Sequence, residues 1–208
     1  MIIKKVHVLE SKRQYTGFTT VNKLSLQNEY VDGSWGPLYY AEQVVLKKPT
    51  TMCILYGWPT LDEAPTKNNC FVALRKQSRP AYSTENPYLI EIVGGGTEHE
   101  ESFLAAAIRE TKEEYGLDIS KTVYKLGEYP LLPSPGILTE EVYFTAAQIS
   151  PEQFKEIPTI IPVGDGNELE SGTILFIQPL KDAINDCRSG IIKCMKVEIA
   201  LRRLWDYL

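Results

Sequence analysis

The sequence predicts an α/β or α+β sandwich, in which a mixed sheet carries helices apart from one another. Three observations carry this. Short runs of strand-forming residues recur from the first residues to about residue 178. One segment, 101–115, has apolar residues at helical spacing and stops at a glycine. A second helical stripe closes the chain.

Residues 1–10 and 16–27 alternate in polarity, and 38–47 (LYYAEQVVLK) is rich in strand formers. The turn signal VDGSWG lies between them. The first 48 residues therefore read as a small antiparallel sheet, which has little core of its own and needs a surface to pack on. Strands follow at 51–56, 70–76 and 88–93, the first two separated by the polar loop GWPTLDEAPTKNN. In 101–115, Leu104, Ile108, Thr111 and Tyr115 make one core-facing stripe, and Gly116 stands where a helix end favours glycine. Strands resume at 122–129, 141–148 and 173–178. The loop 158–172 is long enough to suggest a functional role. Helices at 180–187 and 194–207 end the chain, the second with a stripe of Val197, Leu201, Leu204 and Leu208. Two domains are expected, 1–48 and 49–208.

Composition bounds the function. A net charge of −5 argues against a protein that coats nucleic acid or an anionic membrane. Four cysteines without a C-x-x-C pair, and two histidines, argue against structural zinc. The start MIIKKVHVLE lacks the apolar stretch of a signal peptide, and no run reaches transmembrane length. A reduced, cytoplasmic protein is the expectation.

The chemistry concentrates in GGGTEHEESFLAAAIRETKEEYGL, residues 94–117. Glu110, Glu113 and Glu114 fall at i, i+3 and i+4, so a helix puts them on one face. Like charges at that spacing cost roughly 0.2–0.5 kcal/mol per pair unless water or a cation offsets them. Carboxylate oxygens suit hard cations such as Mg²⁺. Taken alone, such a run reads more readily as a solvated face with Arg109 paired to Glu113. Gly94, Gly95 and Gly96 are expected to form a tight turn free of side chains.

The joint pattern is far more specific than either part. Gly95, Glu101, Arg109, Glu110, Glu113, Glu114, Gly116 and Leu117 match eight of the nine fixed positions of the Nudix box, G-x5-E-x7-R-E-U-x-E-E-x-G-U with U aliphatic. Thr111 departs from the aliphatic rule at the ninth. The chain thus resembles the Nudix hydrolase superfamily. That resemblance implies an α/β/α sandwich around a mixed sheet and hydrolysis of a nucleoside diphosphate linked to another group, with Mg²⁺ or Mn²⁺. It implies Glu110 and Glu114 as metal ligands, Glu113 in support, and the Gly94 carbonyl as a further ligand. Arg109 would orient the glutamates, and Glu101 would brace the loop–helix junction.

Outside the box, RKQSRPAYSTENPYLIEIVGGG and LLPSPGILTEEVYF resemble the branch that cleaves ADP-ribose and nucleoside-diphosphate sugars. The resemblance implies Arg79, Ser134, Gly136 and Glu140 as substrate-binding residues. It implies a glutamate of loop 158–172 as general base or extra metal ligand, Glu168 as the base and Glu170 in either role. It also implies a homodimer through the N-terminal sheet. Each of these residues has an ordinary alternative, a strand-end arginine or an edge charge. ADP-ribose is the favoured substrate, with GDP-mannose and UDP- or ADP-glucose as alternatives. Other classes also stand open: an enzyme acting on oxidised nucleoside triphosphates, a non-catalytic ADP-ribose sensor, and a scaffold with an acidic helix.

Overall fold

The structure is a computed structural model and describes residues 1–17, 19–46, 48–58, 66–160 and 172–208. Its contacts form two units, Met1–Pro49 with Leu131–Glu141, and Thr50–Pro130 with Val142–Leu208.

The first unit is an antiparallel meander of β1 (Ile3–Thr16), β2 (Thr20–Tyr30) and β3 (Trp35–Val45). The VDGSWG turn closes it as expected. Gly33 takes φ 82°, and Asp32 Oδ1 accepts from the Ser34 amide (3.0 Å) and hydroxyl (2.6 Å). The strands run longer than their polarity pattern suggests. The β1–β2 register shifts at Ile3/Lys5, Val8/Glu10 and Arg13/Tyr15, and each shift breaks the period of two by which a strand is read. The segment 131–141 joins this unit through β3. Val44 donates to the Ile137 carbonyl (2.7 Å), and Thr139 donates back to Val44 (3.1 Å).

The second unit holds the main sheet. Its strands are β4 (Thr50–Gly57), β5 (Phe71–Ser78), β6 (Tyr88–Glu91), β7 (Val93–Gly96), β8 (Val123–Lys125), β9 (Val142–Gln148) and β10 (Ile174–Pro179). Its helices are α1 (Phe103–Tyr115), α2 (Pro151–Glu156), α3 (Leu180–Ser189) and α4 (Met195–Tyr207). The order is β10-β5-β4-β9-β8, with β6 pairing β5 and β7 pairing β4. Only β4–β9 is parallel among the described pairs, so the sheet is mixed. Side chains alternate across it. Cys53, Leu55, Ala73 and Ala147 pack with Ala107, Tyr115 and Leu117 on the α1 side. Phe144, of opposite parity, lies under the Arg203 guanidinium of α4, 5.0 Å from ring centroid to Cζ. Helices therefore cover both faces, the layered arrangement expected.

Three elements differ from the sequence reading. Residues 88–93 are two strands, because the chain leaves β5 and moves to β4 at Ile92. The strand expected over 122–129 shrinks to β8, since Gly127 adopts φ 123° and the Arg203 guanidinium fills the space beside its Cα. Helix α2 is an addition. Its signal was present: Ser150 and Gln153 form a reciprocal capping box on either side of Pro151, the first helical residue.

Candidate active site

Helix α1 starts at Ser102, whose hydroxyl accepts from the Ala105 amide (3.1 Å), and ends at Gly116 in the left-handed region (φ 67°). Its buried face comprises Ala106, Ala107, Thr111, Glu114 and Tyr115. Thr111 is wholly buried, yet its hydroxyl donates to the Ala107 carbonyl at 2.7 Å. A polar side chain thus occupies an aliphatic position without an unsatisfied group.

The three glutamates divide rather than share a face. Glu113 points to water, Glu110 is half-buried and Glu114 is buried. At 100° per residue, three positions spanning five residues straddle the helix boundary between core and solvent.

The glycine run is extended strand, not a tight turn. Gly94–Gly96 lie in β7, paired with Met52, Thr51 and Thr50 of β4, and none of the three has a positive φ. Their value is close approach. A Cβ on Gly95 would overlap the Glu110 carboxylate, so the bare backbone of β7 is the seat of that side chain. A Cβ on Gly94 would meet Met52 Sδ at 2.5 Å and the Thr51 carbonyl at 2.9 Å. Burial raises the pKa of Glu110, against the opposing pull of Arg109.

Arg109 holds the box together. Its Nε and Nη2 donate to the two oxygens of Glu101 (3.1 Å each), and Nη2 also donates to the Gly96 carbonyl (3.0 Å). Its Nη1 donates to Glu110 Oε1 (2.9 Å) and Glu113 Oε2 (3.0 Å). Glu101 in turn accepts from the Glu98 amide at 2.8 Å. One guanidinium fork therefore links strand β7, the following loop and two turns of α1. The hydrogen bonds to Glu101, before any other cause, hold Arg109 firmly protonated.

A second arginine was missed in the sequence. Arg75 shares strand parity with Ala73 and so lies on the α1 side of β5. It is 3% exposed, and its Nη1 contacts Glu114 Oε1. Its Nη2 stands 3.8 Å from Glu91 Oε2. Burial pulls against the charge of Arg75, but Glu114 first, with Tyr115 and Glu91 after it, outweighs it and holds the pKa up. Arg79 clasps both oxygens of Glu91, with Nε to Oε1 at 3.1 Å and Nη2 to Oε2 at 2.7 Å, and also donates to Gln77 Oε1 (3.2 Å). The signal for Arg75 was a charged residue at a core-facing position of an otherwise apolar strand.

Arg79, Gly94, Arg109, Glu110, Glu113 and Glu114 thus all belong to the second unit. Ser134, Gly136 and Glu140 belong to the first, where Glu140 is buried and the Ser134 carbonyl accepts from the Ile137 and Leu138 amides (3.1 and 2.8 Å). Glu168 and Glu170 lie outside the described residues. Among the described residues no three His, Cys, Asp or Glu side chains converge as a metal cluster. The box nonetheless fits a hard divalent ion in its chemistry. Glu110 is held in a cradle that any Cβ on Gly95 would fill, and its carboxylate oxygens are the donors a hard divalent ion prefers.

The family model of the Nudix domain matches residues 62–174, more than half of the chain. An ADP-ribose pyrophosphatase of Haemophilus influenzae is 23% identical over 155 residues, covering 73% of this chain and 66% of that protein. The match thus spans just under two thirds of that relative. A solved structure of an ADP compounds hydrolase superposes with a TM-score of 0.68 at 17% identity, covering 100% of this chain and 96% of the other. At that identity the likeness concerns the fold.

Proposed function

The chain belongs to the Nudix family, and on that premise we propose that it hydrolyses the pyrophosphate bond of a nucleoside-diphosphate sugar, ADP-ribose in first place. The observation that carries the reading is the wiring of the box: Glu110 seated on Gly95 and tied through Arg109 to Glu101, Glu113 and Gly96. A solvated acidic face has no need of such a seat. The relative from H. influenzae supports the choice of ADP-ribose.

In this reading Glu110, Glu114 and the Gly94 carbonyl would hold Mg²⁺ or Mn²⁺, which would offset the charge of the diphosphate and acidify water. Arg109 keeps Glu110 in one rotamer. Arg79, whose side chain is 36% exposed while its Nε and Nη2 stay on Glu91, offers the positive charge of its exposed part to a phosphate. Ser134, Gly136 and Glu140 serve the sugar or base side. Glu168 takes the proton of the attacking water, with Glu170 as a further oxygen ligand. The products are a nucleoside monophosphate and a sugar phosphate.

The test is a panel of ADP-ribose, GDP-mannose, UDP-glucose and ADP-glucose with Mg²⁺, read as phosphate released by added phosphatase. ADP-ribose is expected to give the highest kcat/KM. Binding of ADP-ribose without products would replace the enzyme by a sensor.

The first unit also exposes Ile3, Val6, Val8, Trp35, Leu38 and Tyr40 on its sheet. An apolar surface of this kind supports the homodimer reading. Light scattering of the full chain at micromolar concentration should give the mass of two chains; the mass of one ends that reading. Among the described residues no helix is long and apolar enough to cross a membrane.

A further inference from the structure

We propose that Arg75 is a built-in counter-cation for Glu114, displaced toward Glu91 when a divalent ion binds, so that the Arg75–Glu91 pair sets how tightly the box takes metal. The proposal rests on the reading of Glu114 as a metal ligand.

Four side chains alternate in sign along one line of contacts: Arg79, Glu91, Arg75 and Glu114. Arg75 and Glu114 are 3% and 5% exposed, and neither charge has water enough to stand alone. A carboxylate buried without a cation is strongly destabilising. Arg75 answers that need in the metal-free chain. The same contact opposes metal loading, because a guanidinium and a divalent ion on one carboxylate repel each other in a space of low dielectric.

The geometry supplies a place for Arg75 to go. Its Nη2 is 3.8 Å from Glu91 Oε2, an ion pair that is not yet a hydrogen bond and can shorten. Its Nε is buried with no hydrogen-bond partner among the described residues. A guanidinium fixed permanently between two carboxylates would be expected to use that donor as well. Arg75 is therefore held well enough to neutralise Glu114 and loosely enough to yield it. Glu91 is anchored by Arg79, which bonds both of its oxygens, so it stays in place, and Oε2 accepts from Arg79 and faces Arg75 at once.

Two neutral substitutions then act in opposite directions. Arg75→Met removes the competitor and should tighten Mn²⁺ binding by about tenfold or more. Glu91→Gln leaves Arg75 with Glu114 alone and should weaken it by about the same factor. A residue that merely props the fold would shift both variants the same way.

The experiment titrates the full chain with Mn²⁺ in the absence of substrate, reading free Mn²⁺ by electron paramagnetic resonance, and measures Tm with and without Mn²⁺. Arg75→Met should have the lower metal-free Tm and the larger rise on adding Mn²⁺. Should it need metal to fold, Glu91→Gln supplies the sign alone. Glu114→Gln is the control for the underlying reading: it should lose the site. If Glu114→Gln loses the site but Arg75→Met and Glu91→Gln bind like the parent, or move together, the counter-cation idea is overturned and the metal reading stands. If Glu114→Gln binds Mn²⁺ like the parent, the metal reading itself falls and takes this proposal with it.

Discussion

Glu110→Gln is expected to lower kcat/KM on ADP-ribose by about 10²–10³-fold, the scale on which loss of one preorganised electrostatic group acts. Its Tm should stay close to that of the parent. The side chain keeps its shape, and Gln Oε1 can still accept from Arg109 Nη1 as Glu110 Oε1 does at 2.9 Å. Arg109 keeps its two bonds to Glu101 and those to Gly96 and Glu113, so the loop and helix stay joined. Removing a half-buried carboxylate whose pKa burial already raises relieves desolvation rather than adding it. The comparison that gives the measurement its force is Glu113→Gln. That carboxylate is 43% exposed and has one contact with Arg109. An exposed ion pair contributes little, so the loss there should stay under about tenfold. Equal losses at the two positions would mean that the acidic face works by net charge, and the seat on Gly95 would lose its meaning. Steady-state kinetics beside thermal melts of the three proteins decides this.

The contrast between these two glutamates shows what a sequence does and does not transmit. Helix α1 was legible because two local signals agree, the 3.6-residue stripe and Gly116 at its end. The box was legible because it is a spacing within 23 residues. The division of Glu110, Glu113 and Glu114 among half-buried, exposed and buried sites was not. A carboxylate is expected in water, and only the position of the sheet beneath α1 places Glu114 inside. Arg75 was hidden for the same reason. Its partners, Glu91 and Glu114, are 16 and 39 residues away in sequence, and strand parity on β5 alone brings them together. Loop 131–141 illustrates a third case. Its residues were read by likeness to a substrate segment, while its observed hydrogen bonds run to Val44 and Leu46 of the N-terminal unit. Long-range pairing of that kind leaves no periodic trace in the chain.

The triple glycine offers the largest contrast from the smallest change, since alanine at three adjacent positions should give three outcomes. Glycine is silent about its own purpose: it permits a turn, and it equally permits another group to press against an extended backbone. The observed β7 is extended, so alanine at each site is judged by what its methyl meets. At Gly96 it meets nothing within 4 Å, and Gly96→Ala should change stability by less than about 0.5 kcal/mol and leave activity intact. At Gly94 the methyl meets Met52 Sδ at 2.5 Å and, behind it, the Thr51 carbonyl at 2.9 Å. The thioether can turn away, but a paired strand backbone cannot, so Gly94→Ala should cost about 1–3 kcal/mol. At Gly95 the obstacle is the end of the Glu110 side chain, which yields by rotating out of its seat and leaving Arg109. The backbone need not move. Gly95→Ala should therefore melt near the parent temperature and yet lose activity about as fully as Glu110→Gln, on the order of 10²-fold. The double variant Gly95→Ala/Glu110→Gln should be no worse than either single one, because both remove the same placed carboxylate. If Gly95→Ala instead unfolds the protein, or keeps full activity, then Glu110 is not held against β7 in the working enzyme, and the site must be assembled from other groups.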